Sequence, residues 1–357
     1  MNDAAKEFLF NLLNTPSPTG FEAPGQRVWA DFVRPHADHV ENDAYGTAWA
    51  TVDGTDGEAA PRLMLDAHVD EIGFMVRHIT DEGFIYVNRI GGSDRAIARG
   101  LRVRILGDDG AVLGVVGNTA IHIRDRDDEK IPKVHELFID IGADSADAVA
   151  ERGIRVGHPM VFDVEARDLT QDRVTARAID NRLGGFIIAQ VLANLADDRP
   201  GCTVIAANSV QEEIGGNGAQ MIAHRLNPDL AVAFDVTHAT DSPSISATQH
   251  GQVQMGEGPT VTHGTSNHPK VVERLMAVAE EHDIPLQHEP SSRRTGTDTD
   301  YIFKTRSGIP SALVSVPLRY MHSTVEVVDL GDVEQCIEWL TAFARSIQAD
   351  DTFGTTL

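Results

Sequence analysis

Four short apolar runs in this chain each break off at an ionisable side chain, and that pattern limits the folds open to it. Residues 62–66 end on Asp66 and lead to His68 and Asp70; 203–207 lead to Glu212 and Glu213; 230–235 close on Asp235; 312–316 precede His322. Apolar runs of this length read as strands buried on both faces, and helical patterns alternate with them, so an α/β sheet is expected. In open α/β sheets, ligands bind in the crevice beyond the carboxyl ends of the strands. These acids and histidines fall there. An adjacent acidic pair such as Glu212 and Glu213 is by itself more often a solvated turn, so its weight comes from the groups at the other strand ends.

Helical spacing marks residues 3–14, about 22–35, a stretch beginning near Asp180, 218–226, 269–281 and 333–347. Between Ile72 and about Asp168 the texture changes to short β-rich segments punctuated by glycine, the pattern of a small barrel or sandwich. The expected architecture is therefore α/β: a mixed-sheet domain, 1–70 plus 172–357, interrupted by a barrel-like or PDZ-like insert at 71–171. The charged segment Arg124–Lys130 reads as part of an exposed, mobile loop at 118–132.

Composition narrows the function classes. At 357 residues with 41% hydrophobic and 24% charged residues the chain is that of an ordinary globular protein. No apolar run is long enough to span a membrane, and because the first ten residues lack a basic n-region and a cleavable apolar stretch, a secretion signal is not expected. Cys202 and Cys336 are too few for a disulfide framework and fit a cytoplasmic location. The net charge of −24 argues against nucleic acid, which needs a concentrated basic surface.

Four or five carboxylates and two histidines around one crevice would repel one another unless positive charge lay between them. Divalent cations are the simplest source. A mixed carboxylate and imidazole set suits Zn, Co or Mn, and the acids are too many for one tetrahedral site. Two cations about 3.5–4 Å apart that share a carboxylate would use them all.

Five motifs then occur in order: Ala67-His-Val-Asp-Glu-Ile-Gly-Phe-Met-Val76, Arg177-Ala-Ile-Asp-Asn-Arg182, Val210-Gln-Glu-Glu-Ile-Gly215, Ala233-Phe-Asp-Val-Thr237 and Val316-Pro-Leu-Arg-Tyr-Met-His-Ser323. Together they resemble the TET-type, or glutamyl, metallo-aminopeptidases over nearly the whole chain, including Leu137–Gly142 of the insert. The resemblance implies one metal on His68, Asp180 and Asp235 and a second on Asp180, Glu213 and His322, with Zn or Co the expected ions. It makes Glu212 the general base and Asp70 the group that orients His68. It further implies a cis bond at Asp180–Asn181, short peptide substrates cut at their N-termini, and a homo-oligomer, typically a tetrahedral dodecamer. In that assembly the insert would serve oligomerisation and substrate access. Asn181 departs from the pattern, since many relatives carry a second acid there, and the loop Gly215-Gly-Asn-Gly218 also differs; neither removes a ligand.

Other functions are compatible with parts of the same residue set. Glu212 and Glu213 make a poor glycosidase pair if the chain is extended there, because neighbouring side chains then point to opposite faces. Another metal-dependent amidase or deacylase on the same fold is the nearer alternative, and a non-catalytic scaffold would be expected to have lost a ligand. The segment Thr295-Gly-Thr-Asp-Thr-Asp300 resembles one beside the family's site and is either a pocket wall or an ordinary turn. Arg319 and Tyr320 could face substrate or a neighbouring subunit. The spacing of His263 and His268 favours a loop over a metal pair.

Overall fold

The computed structural model describes residues 1–57, 60–124 and 130–355. Part of the charged loop expected at 118–132, residues 125–129, lies outside them. In chain order the strands are β1 (His39–Asn42), β2 (Ala48–Val52), β3 (Arg62–His68), β4 (Gly73–Ile79), β5 (Ile85–Ile90), β6 (Arg102–Gly107), β7 (Gly110–Val116) and β8 (Phe138–Asp140). They continue with β9 (Pro159–Phe162), β10 (Arg167–Asp168), β11 (Arg173–Ala176), β12 (Thr203–Ser209), β13 (Leu230–His238), β14 (Thr260–His263), β15 (Gln287–Pro290), β16 (Ser311–Arg319) and β17 (Glu326–Asp329).

An 11-stranded mixed sheet runs in the order β1-β2-β12-β3-β13-β16-β17-β11-β10, with β14 added on β16 and β15 on β14. Its centre, β12-β3-β13-β16, is parallel, so four strand ends open on one edge. These strands are the apolar runs of the sequence. The remaining strands close a barrel in the order β4-β5-β8-β7-β6-β9, with its own core of residues such as Phe74, Val87, Ile105, Ile139 and Met160. The barrel choice among the expected insert forms is therefore the one the chain makes. Its strands lie between Gly73 and Phe162, whereas Arg167–Asp168 pairs in the large sheet.

Side-chain alternation divides the central strands between two cores. Leu63, Leu65, Val232 and Phe234 face the larger one, with Trp29, Phe186 and Trp339 from the flanking helices. Met64, Ala231 and Ala233 face the smaller one, against Ile222 and Ile302. The helix Ile179–Ala196 is buried on nearly all sides between the sheet and the helices Asp3–Asn14 and Leu330–Ser346, which accounts for its almost wholly apolar sequence. Continuing the alternation places Asp66 and His68 of β3, and Asp235 and Thr237 of β13, on the smaller-core face. There the apolar packing gives way to an open crevice.

Candidate metal centre

Each strand end delivers a ligand-type group, and a different local device aims it. His68 is the last residue of β3 and Asp235 lies within β13. Asp180 stands where the helix Ile179–Ala196 begins, after Ala178 in the left-handed region, and the Asp180–Asn181 bond is cis, as the resemblance implies. His322 follows β16 on a backbone with φ 60°. Gly92 supplies the space beside it, since a Cβ at that position would overlap the imidazole ring.

Glu212 and Glu213 differ from expectation in one respect. They occupy a 3₁₀ turn, Glu212–Ile214, rather than extended chain. Successive side chains in such a turn diverge by about 120°, so they separate by helical rotation and not by pleat alternation. Gln211, with φ 61°, and Gly215, with φ 125°, begin and end the turn.

Two groups of potential ligand atoms result, His68 with Asp180 and Asp235, and Asp180 with Glu213 and His322; within each, the atoms lie within 4.8 Å of one another. His68 Nε2 is 3.3 Å from Asp180 Oδ1 and 3.9 Å from Asp235 Oδ1. His322 Nε2 is 3.2 Å from Asp180 Oδ2 and 3.5 Å from Glu213 Oε1. Asp180 thus turns one oxygen to each group. Glu212 Oε2 stands 3.7 Å from His68 Nε2, on the crevice side.

The chemistry of this donor set fits cations. Glu213 Oε1 is buried and has no hydrogen-bond partner among the described residues, an arrangement that is costly unless something positive completes it. Burial pushes Asp235 up to about 8, with the Asp180 charge adding to it. Burial likewise drives Glu212 well above the usual carboxylate range, and Glu213 rises for the same reason. Burial alone would lower the His322 ring, yet Asp180 and Glu213 outweigh it and raise it to about 11. His68 is raised too, its burial overcome by Asp180 and Asp70. So much negative charge draws in protons, and the same field attracts divalent metal.

Behind these two groups lies a supporting layer. Asp70 accepts the backbone N–H groups of Glu212 at 3.0 Å and Glu213 at 3.3 Å and the Thr19 hydroxyl at 2.7 Å. Its carbonyl oxygen lies 3.2 Å from His68 Nδ1. Glu71 is buried between Arg177 and Arg182, and Arg182 also donates to the carbonyls of Leu12, Thr15 and Val69. Glu326 accepts the N–H of Asp180 at 3.2 Å and of His322 at 2.8 Å.

Sequence reading places Asp70 here but gives no role to Glu71, Arg177, Arg182 or Glu326. The first three at least lie in the quoted motifs; Glu326, alone at the start of β17, carries no such signal. The insert's part was also missed: Gly91 and Gly92 abut Glu213 and His322. The segment 295–300 does line the crevice, through Thr295, Gly296, Thr297 and Asp300. Arg319 pairs with Asp241, and His263 contacts His288 rather than His268.

Comparison with known proteins agrees with this architecture. The family model described as M42 glutamyl aminopeptidase matches residues 46–339. The lysyl aminopeptidase of Pyrococcus furiosus is 31% identical over 350 residues, covering 97% of this chain and 98% of that one. The structure of the aminopeptidase APDkam598 from Desulfurococcus kamchatkensis superposes with a TM-score of 0.91 at 34% identity, covering 97% and 96% of the two chains. The Pyrococcus horikoshii TET1 peptidase, described as assembling into a tetrahedron or a large octahedral shell, gives 0.85 at 27% identity, covering 96% and 100%. The chain belongs to the M42 glutamyl aminopeptidase family, and is a peptide hydrolase of the metallo-aminopeptidase type.

Proposed function

We propose that this protein removes N-terminal residues from short peptides with two divalent metal ions per subunit, Zn or Co. The observation that carries the reading is the pair of ligand sets meeting at Asp180, with Glu212 beside them but in neither. His68, Asp180 and Asp235 would hold one ion and Asp180, Glu213 and His322 the other. When bound, the ions would supply Lewis-acid polarisation of the scissile carbonyl and a lowered pKa for water.

The remaining work falls to the chain. Glu212 takes a proton from the attacking water and passes it to the departing amine, a role suited to a carboxylate whose proton affinity burial has raised. Asp70 fixes the turn that carries Glu212 and Glu213 and orients His68, so one buried acid sets the position of a base and of two ligands. Gly92, in the turn after β5 of the insert, lines the crevice, which has a volume of about 610 Å³ and suits a small substrate segment.

A homo-oligomer, in the form of a tetrahedral dodecamer, is part of the proposal, supported by the shells described for the TET1 peptidase. A cytoplasmic site of action is supported by two buried free cysteines. No helix among the described residues is long and apolar enough to cross a membrane. The test is hydrolysis of aminoacyl-p-nitroanilides with and without chelator, alongside their N-acetylated forms. Chelator-resistant turnover would sink the metal proposal; cleavage of the acetylated forms in preference would favour the deacylase alternative.

A further inference from the structure

The crevice beside the two ligand groups contains a carboxylate that the reaction itself does not use. Glu289, on β15, lines the cavity, and each of its oxygens is held by a threonine hydroxyl: Thr237 donates to Oε1 at 2.7 Å and Thr260 to Oε2 at 2.8 Å. No cationic side chain among the described residues pairs with it. Two hydroxyl bonds aim the group without neutralising it, and each oxygen keeps a lone pair for a further donor.

Thr237 stands two residues beyond Asp235 on β13 and therefore on the same face. Two residues of strand span about 6.6–6.8 Å. A substrate whose α-amine sits at the ligand cluster would thus meet the Glu289 carboxylate roughly one long side chain away. We infer that Glu289 is the specificity-determining residue of the pocket for the substrate's first side chain, and that it selects N-terminal lysine and arginine. The inference rests on the aminopeptidase reading and adds the substrate class.

Arg294 lines the same cavity and would suit an acidic residue instead. Two arguments favour Glu289. Arg294 is exposed on a loop and would have to be ordered on binding, a cost that Glu289 has already met through its two hydroxyl partners. A substrate carboxylate would also enter a space lined by Glu289 and Asp300, and like charges at such range oppose binding.

The test compares wild type, Glu289→Gln and Arg294→Ala on lysyl, arginyl, leucyl and glutamyl p-nitroanilides. Wild type should prefer the basic substrates. Glutamine keeps the size of the side chain and a bond to one threonine but lacks the charge. Glu289→Gln should therefore cut the lysyl-to-leucyl ratio of kcat/KM by about 10–100-fold, chiefly through KM. Arg294→Ala should leave the order of preference as it was. Calorimetry of metal-loaded Glu212→Gln protein, which should bind lysinamide and norleucinamide without cleaving them, gives a second readout: lysinamide should bind more tightly, and adding Glu289→Gln should remove that preference.

A wild type that prefers the glutamyl substrate, or an unchanged ratio in Glu289→Gln, would overturn the assignment. The second result would mean that Glu289 meets the α-amine common to all the substrates. Absence of any turnover, with the lysinamide preference present and lost in the variant, would sink the reaction but keep the pocket.

Discussion

Replacing Glu326 by alanine asks how the ligand at the centre of the site is held. Glu326 is wholly buried, and its two oxygens accept the backbone N–H groups of Asp180 and His322, one from each side of the centre. Alanine leaves both N–H groups without an acceptor, at about 1–3 kcal/mol each. Against this stands relief from burying a carboxylate, which burial and the neighbouring Asp180 push well above its usual range. The balance predicts a loss of about 2–4 kcal/mol in urea denaturation. Because both segments carry proposed ligands, affinity for a divalent ion in competition titration should also fall by about 10–100-fold. Glu326→Gln retains one acceptor and turns an amide donor toward the other N–H, so its losses should lie between wild type and alanine. The reasoning fails if Glu326→Ala is destabilised while its metal affinity stays at the wild-type value. Glu326 would then support the fold and not the ligand geometry.

Four further outcomes are expected. Glu212→Gln should keep its metal content by elemental analysis, since it belongs to neither ligand group, and lose about 10²–10⁴-fold in kcat; loss of metal would place it among the ligands. Arg182→Met leaves Glu71 with Arg177 as its one cationic partner among the described residues and takes a donor from the carbonyls of Leu12, Thr15 and Val69, so the denaturation midpoint should drop by the equivalent of about 3–5 kcal/mol. Asp332 is pushed up by burial from 3.8 to about 6 despite accepting N–H bonds from Gly256 and Gly258. The native state then keeps the proton where the unfolded chain has lost it, so stability falls as pH rises from about 4 to 6, by at most about 3 kcal/mol; Asp332→Asn should lack that slope. Chelation should lower the melting temperature of wild type but not that of Asp180→Ala, whose substitution removes an atom from both sets.

The central strands were legible because burial on both faces writes itself as an unbroken apolar run, and the proposed ligands because they interrupt those runs. His68 and Asp235 needed only the strand alternation to be placed on one face. Glu212 and Glu213 show where that logic stops. Strand periodicity put them on opposite faces, but Gln211 takes a left-handed conformation and a 3₁₀ turn replaces the pleat. Nothing in the local pattern marks Gln211 for that conformation, which asparagine or glycine more often adopts. The supporting acids divide in the same way. Asp70 stands two residues from His68 and shares its motif. Glu326 works through Asp180, which is 146 residues away in the chain.

Glu289 is the extreme case. It lies in Gln287–Pro290, a short polar strand with no apolar pattern of its own. Its position is fixed by hydroxyls 52 and 29 residues away, Thr237 and Thr260. Those threonines are in turn placed by β13 and by the pairing of β14 on β16. A ligand that ends an apolar run can be found by reading along the chain. A residue that selects the substrate is defined by strands that meet only in the folded sheet, so the reaction class was readable from the sequence and the preferred substrate was not.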